Sequence, residues 1–306
     1  MLFDTLEMLE SRRLLAATLT SATLNNDGVV VLTGSAQGDE VQVALFSRRR
    51  AQIIDGGEVV LTFRLAAAKS LSFTGGAGSD TLSMGRVPLP LNADGGDGAD
   101  SFSASRGGAF DDSLLGGSAN DYLFGGPGND RIEGGGGDDQ LHGDEGNDYL
   151  IALSDSSGDD TILGGPGEDT VDFSNYNRGV TLSIGARSPG VLQIDDRVSG
   201  QVEIIRATGY SDRINNISGD ALTVYLGRGF DRYTGGRAAE TVYGGRGDDT
   251  IATAGAEDTI FDTEGTNTLS GGRDRDTAFV RGNADGIEAI EIVRDVDEDE
   301  NFSPNA

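Results

Sequence analysis

Between Asp112 and Asp148 an aspartate recurs at every ninth residue: Asp112, Asp121, Asp130, Asp139 and Asp148. Carboxylates at a fixed interval can work in acid/base pairs or gather round a hard cation, and the residues between them decide which. Here glycine is the commonest of those residues. Glycine reaches positive φ without strain, so a short glycine-rich turn can aim several backbone carbonyls at one point. Carbonyls and carboxylates together make an all-oxygen ligand set, which suits calcium better than a transition metal.

The spacing belongs to a nonapeptide, G-G-x-G-x-D-x-U-x with U apolar. Five units run without a gap from Gly107 to Ile151: GGAFDDSLL, GGSANDYLF, GGPGNDRIE, GGGGDDQLH and GDEGNDYLI. Further copies are GGAGSDTLS from Gly75, GGDGADSFS from Gly95, DSSGDDTIL from Asp155, GGPGEDTVD from Gly164 and GGRGDDTIA from Gly244. Composition alone would give roughly 0.05 full matches in a chain of this kind, whereas six occur, opening at Gly75, Gly95, Gly125, Gly134, Gly164 and Gly244. A flexible linker would not hold an apolar residue at the eighth position. Here that position reads Leu82, Phe102, Leu114, Leu123, Ile132, Leu141, Leu150, Ile162, Val171 and Ile251.

Six turn residues followed by three strand residues, with U in the middle, define a half-coil, and two nonapeptides close one coil. Strands then stack in parallel about 4.8 Å apart, with U pointing inward and each loop aspartate above the one eighteen residues on. This places Asp112, Asp130 and Asp148 along one edge and Asp121 and Asp139 along the other, giving inter-loop sites Asp112/Asp130, Asp130/Asp148 and Asp121/Asp139. Ala152–Ser154 interrupt the register, and Asp160 and Asp169 should resume it.

The repeats resemble the RTX, or hemolysin-type, calcium-binding nonapeptides, strongly over 75–172 and more weakly over 207–288. The resemblance implies an all-β parallel β-roll, calcium held by loop carbonyls and the sixth-position aspartate, a secreted or cell-surface location, and folding on meeting external calcium. The matching aspartates are Asp80, Asp100, Asp112, Asp121, Asp130, Asp139, Asp148, Asp160, Asp169 and Asp249.

Composition agrees with that reading. The 306 residues include 48 Gly, 6 Pro, no Cys and no Trp, and 51 acidic side chains stand against 23 basic ones for a net charge of −28. With 36% hydrophobic residues, such a chain resists compaction until its charge is neutralised. The acidity disfavours nucleic acid, no apolar run is long enough to span a membrane, and the lack of Cys excludes thiol chemistry. His142 is the only histidine. It sits at a ninth, surface position, and neither GxSxG nor GxxxxGK[ST] is present, so no catalytic residue is assigned.

Six segments are expected: an export-like start (1–20), a β-rich cap or first rungs (21–74), the calcium-binding roll (75–172), an interrupting β segment (173–206), a degenerate solenoid (207–293) and an acidic tail (294–306). Arg12-Arg13 ahead of a short apolar stretch suggests twin-arginine export, against which Asp4, Glu7 and Glu10 argue. The string LESRRLLA resembles an N-terminal segment of large bacterial surface and secreted proteins carrying such repeats. In 21–74, turns are expected at Asn26-Asp27-Gly28, at Asp55-Gly56-Gly57 and at the exposed Arg48-Arg49-Arg50, between strands alternating at Val41/Val43/Leu45 and Val59/Leu61/Phe63/Leu65. In 173–206 the alternation reads Val180/Leu182/Ile184 and Val202/Ile204.

From Leu226 the ninefold register persists through seven units whose sixth positions are Asp231, Glu240, Asp249, Asp258, Asn267, Asp276 and Asp285. Glycines are lost there and Arg228, Arg237, Arg246, Arg273 and Arg275 enter. Arginine beside an acidic edge can stand in for a cation, so this half is expected to hold few or weak calcium sites. Asp295, Asp297 and Asp299 imitate the start of an EF-hand loop, but Glu300 stands where its glycine would be, and an acidic tail is the expectation. The function class these readings favour is a calcium-dependent scaffold or adhesion module, with cell-surface polysaccharide or other surface proteins as candidate partners. An accessory module of an exoenzyme system and a polysaccharide-active β-helix enzyme are the alternatives.

Overall fold

The computed structural model describes residues 19–151, 158–185, 196–199, 202–262, 264–280, 287–288 and 292–295. Over the repeats each nonapeptide supplies one strand, and successive strands go alternately to two sheets, of 14 and 15 strands. Ser113–Ser118, Arg131–Gly136, Tyr149–Ile151 and Thr170–Asp172 lie side by side in one; Tyr122–Pro127, Gln140–Glu145 and Thr161–Leu163 do so in the other. Pairing is parallel, with Leu114 opposite Ile132, Ile132 opposite Leu150 and Leu123 opposite Leu141. Parallel neighbours ordinarily need a long crossover. Here the return path is the opposite sheet, so glycine turns suffice, and the expected β-roll is the observed fold.

The core is one continuous column between the sheets. All ten eighth-position residues named for the repeats are no more than 1% exposed. Each contributes about 1.5–3 kcal/mol by leaving water, so the column carries the solenoid although each strand is short. Beyond the break after Ile151 the register resumes as expected, with Ile162 opposite Leu141 and Val171 opposite Leu150.

The N-terminal part begins the same two sheets. Ser21–Leu24 and Val29–Thr33 form an antiparallel hairpin turning at Asn26-Asp27-Gly28, and Glu40–Ser47, Arg50–Asp55 and Glu58–Arg64 form an antiparallel meander. Val29–Thr33 and Glu40–Gln42 also pair in parallel with the strands that follow, so they are the first rungs. The Arg48-Arg49-Arg50 turn is exposed, as expected. Leu45 and Val59 depart from the expected inward alternation: both are exposed, and Leu45 lies past the end of the parallel pairing at Gln42.

The middle segment joins the solenoid as well. Thr181–Ile184 pairs with Arg213–Asn216 on one side, and on the other with Asp196–Ser199, which is inserted between it and Thr161–Leu163 although it comes later in the chain. In Ile204–Arg206 the core residue is Ile205, opposite Val171 and Val224, and the reading that put Ile204 inward is one residue out of phase. On the outer face of the C-terminal half, Tyr225, Tyr243, Phe261 and Phe279 stack at 4.6, 4.8 and 4.6 Å, the spacing of the strands beneath them. Residues 1–18, which contain the export-like string, and the tail beyond Asp295 lie outside the described residues.

Candidate metal sites

The sixth-position aspartates open the strands, at the corners where the chain passes from one sheet to the other. Asp112, Asp130, Asp148 and Asp169 form one edge; Asp80, Asp100, Asp121, Asp139 and Asp160 form the other. Asp80 and Asp100 share the edge of Asp121, because longer connections occupy the opposite corner in the first coils. Along each edge the backbone N–H of one aspartate donates to Oδ1 of the aspartate one coil on: Asp112 to Asp130, Asp130 to Asp148 and Asp121 to Asp139, each at 2.8 Å. The three expected pairs are therefore adjacent in space.

Each of these bonds uses only Oδ1. The Oδ2 atoms of Asp80, Asp100, Asp112, Asp121, Asp130, Asp139, Asp148 and Asp169 are buried without a hydrogen-bond partner. An orphaned carboxylate oxygen in the interior is costly unless a cation or a proton meets it.

The first glycine of the loop forms the other wall of the cradle. A Cβ on Gly125 would lie 2.2 Å from Asp130 Oδ2 and 2.8 Å from the Gly143 carbonyl oxygen. On Gly116 it would lie 2.2 Å from Asp121 Oδ2 and 2.5 Å from the Gly134 carbonyl oxygen. Carboxylate and carbonyl oxygens from consecutive coils thus converge where only glycine leaves room. Among the described residues no three acidic or histidine side chains meet at one point, so a cation here would draw its remaining ligands from backbone carbonyls. Donor set, orphaned oxygens and cradle all fit calcium.

Burial raises the carboxyl groups. Asp130 is pushed up to about 8 by loss of solvent, with the Asp112 backbone N–H opposing and the charges of Asp112 and Asp148 adding to the rise. Asp80, Asp112, Asp121 and Asp169 are raised to about 7, and Asp100, Asp139 and Asp148 to about 6, in each case chiefly by burial.

The ladders extend further than the repeat motif indicated. Asp39, in the weak unit GSAQGDEVQ, donates its N–H to Asp80 Oδ1 at 2.7 Å, and Glu203 accepts from Asp169 at 2.8 Å. In the C-terminal half Asp212, Asp231, Asp249 and Asn267 continue one edge and Glu240, Asp258 and Asp276 the other. The expectation that arginines replace cations there fails. Arg246 pairs with exposed Glu264 at 3.1 Å, while a carboxylate oxygen of each of Asp231, Glu240, Asp249 and Asp258 is buried without a partner. Arg228, Arg237, Arg246 and Arg273 hold the third loop position and Arg275 the fifth, not the sixth position that forms the acidic edge. His142 packs on Phe124 on the outer sheet face, ring centroids 4.4 Å apart, as a surface strand residue.

A parallel roll with two acidic corner ladders and glycine cradles defines a class of calcium-binding solenoid. Within that class, the family model described as RTX calcium-binding nonapeptide repeat (4 copies) matches residues 94–132, 115–150, 152–175, 225–260 and 253–287. The chain therefore carries RTX calcium-binding repeats in both halves and is a calcium-binding β-roll protein. No curated protein matches it.

Proposed function

We propose that the protein is a calcium-stabilised scaffold or adhesion module of the cell exterior, non-catalytic, whose roll forms when calcium enters the corner cradles. Its proposed ligands are Asp80, Asp100, Asp112, Asp121, Asp130, Asp139, Asp148, Asp160, Asp169 and Asp249, each acting with glycine carbonyls of its own and the adjacent coil. The observation that supports this best is the row of orphaned Oδ2 atoms, of which those of Asp80, Asp100, Asp121, Asp130, Asp139 and Asp148 each face a glycine whose Cβ would collide with them. Extracellular calcium modules commonly work at about 10⁻⁴–10⁻³ M, a range that keeps such a chain unfolded inside a cell and folded outside. Its partners on this reading are cell-surface polysaccharide or other surface proteins.

Calorimetric titration of the full chain tests the binding part: several calcium equivalents in that range support it, and fewer than two refute it. A panel of acidic and neutral glycans incubated with the calcium-loaded protein tests the role. Retention without cleavage is the expected result, and release of shortened glycan would make the protein an enzyme.

A further inference from the structure

The unit DTEGTNTLS at 262–270 departs from the repeat at three of its consensus positions. Asp262 and Thr263 stand where the glycine pair belongs, and Asn267 stands where the aspartate belongs. Asn267 keeps the structural half of the aspartate's work: its Oδ1 accepts the Asp249 N–H at 2.9 Å, a bond that needs an oxygen but no charge.

The charge has moved five residues back. Asp262 is only 2% exposed, and neither of its carboxylate oxygens has a hydrogen-bond partner of normal geometry. The group is aimed into the cradle of the preceding coil: a Cβ on Gly244 would lie 2.5 Å from Asp262 Oδ2 and 3.0 Å from Oδ1. Gly244 opens the loop of Asp249, whose own Oδ2 is buried and unpartnered. Burial raises the Asp262 carboxyl to about 8, the Asp249 charge is the next contribution, and the Glu264 backbone N–H opposes both. A random loss of glycine would be expected to leave a small or apolar side chain in such a place, as Val280 does one coil further on.

We propose that Asp262 is a relocated ligand, which with Asp249 and the carbonyls of loop 244–249 forms a site for a hard divalent cation, calcium, in the half where the repeat has decayed. This rests on the reading that the aspartate edges take calcium. It reverses the expectation that decay of the consensus means loss of the metal.

The test uses the full chain and calcium alone, comparing Asp262→Gly, Asp262→Asn and Asp130→Asn by calorimetry with metal analysis, and checking folding in saturating calcium by circular dichroism. Asp262→Gly restores the first glycine of the loop, so simple decay predicts unchanged or tighter calcium, whereas a relocated ligand predicts the loss of about one equivalent. Asp262→Asn has the same size and removes a buried charge, so it folds, and it should lose the same equivalent. Unchanged or increased binding in both Asp262 variants overturns the inference. If Asp130→Asn still loses calcium in that case, the failure is confined to Asp262; if it does not, the reading of the whole edge fails with it.

Discussion

The backbone N–H of Asp130 donates to Oδ1 of Asp148 at 2.8 Å, one coil on, and Oδ2 of Asp148 is left buried and without a partner. One carboxylate thus serves two purposes through two atoms. Oδ1 joins one coil to the next, and on the proposed function Oδ2 takes the cation.

The two purposes separate in Asp130→Asn. Asparagine preserves the acceptor, as Asn267 does in its own loop, but removes the charge whose burial is opposed. In calcium-free buffer the variant should show as much β-structure as the parent or more; in calcium it should bind fewer equivalents and have a lower Tm. Circular dichroism with and without the ion and a melt in calcium check this, and a variant that loses β-structure in both conditions would contradict it.

Gly125→Ala should damage a site that contains no side chain of its own. The new Cβ would lie 2.2 Å from Asp130 Oδ2, so either the carboxylate or the backbone must shift. Gly219→Ala is the control, since nothing lies within 4 Å of its Cβ position. The calcium midpoint should rise at least about tenfold for the first, corresponding to about 1.4 kcal/mol, and stay within twofold for the second.

Ile132→Asp should prevent folding even in calcium. The residue is fully buried in the core column, and an unpaired carboxylate there costs several kcal/mol, comparable with the stability of a domain. Arg131→Asp, one residue earlier, loses an exposed pair with Glu133 at 3.1 Å and a guanidinium placed over the Tyr149 ring at 5.6 Å, each worth about 1 kcal/mol or less. If Arg131→Asp unfolds the roll and Ile132→Asp does not, inside and outside are exchanged.

The ion-free chain should be more ordered in acid. The folded carboxyl groups are raised from 3.8 to about 6–8, so the folded state binds more protons than the unfolded chain. Their destabilising effect is absent below the ordinary value and grows as pH rises through about 4 to 8. Calcium-stripped protein should therefore show more β-structure at about pH 5.5 than at pH 8, and calcium should remove most of that difference. A flat profile without calcium would mean that the carboxylates are not desolvated.

The roll and most of its edges were legible because period and composition act together: an apolar residue at every eighth position can face only one way, and the glycines mark the corners. Asp39 escaped because GSAQGDEVQ lacks the glycine pair, although Val41 holds its eighth position. Ile204 was read into the alternation in place of Ile205 because Val202 and Ile204 lie two residues apart, whereas the strand begins only after Glu203. The insertion of Asp196–Ser199 out of chain order could not be read, since the repeat specifies how a strand packs but not which rung it joins. The persistence of acidic cradles in 226–280 was hidden because lost glycines were read as lost sites, whereas a site depends on where the carboxylate oxygens end up.

The most direct test of the account is far-ultraviolet circular dichroism of the full chain, first with chelator at neutral pH and then at about 1–10 mM calcium, with magnesium at the same concentration as a comparison. The expected result is a largely disordered spectrum in chelator, a cooperative gain of β-structure with calcium and little response to magnesium, which resists dehydration and demands a tighter cage. The same β-content with and without chelator would contradict the claim that the orphaned carboxylates hold the roll open until calcium closes it.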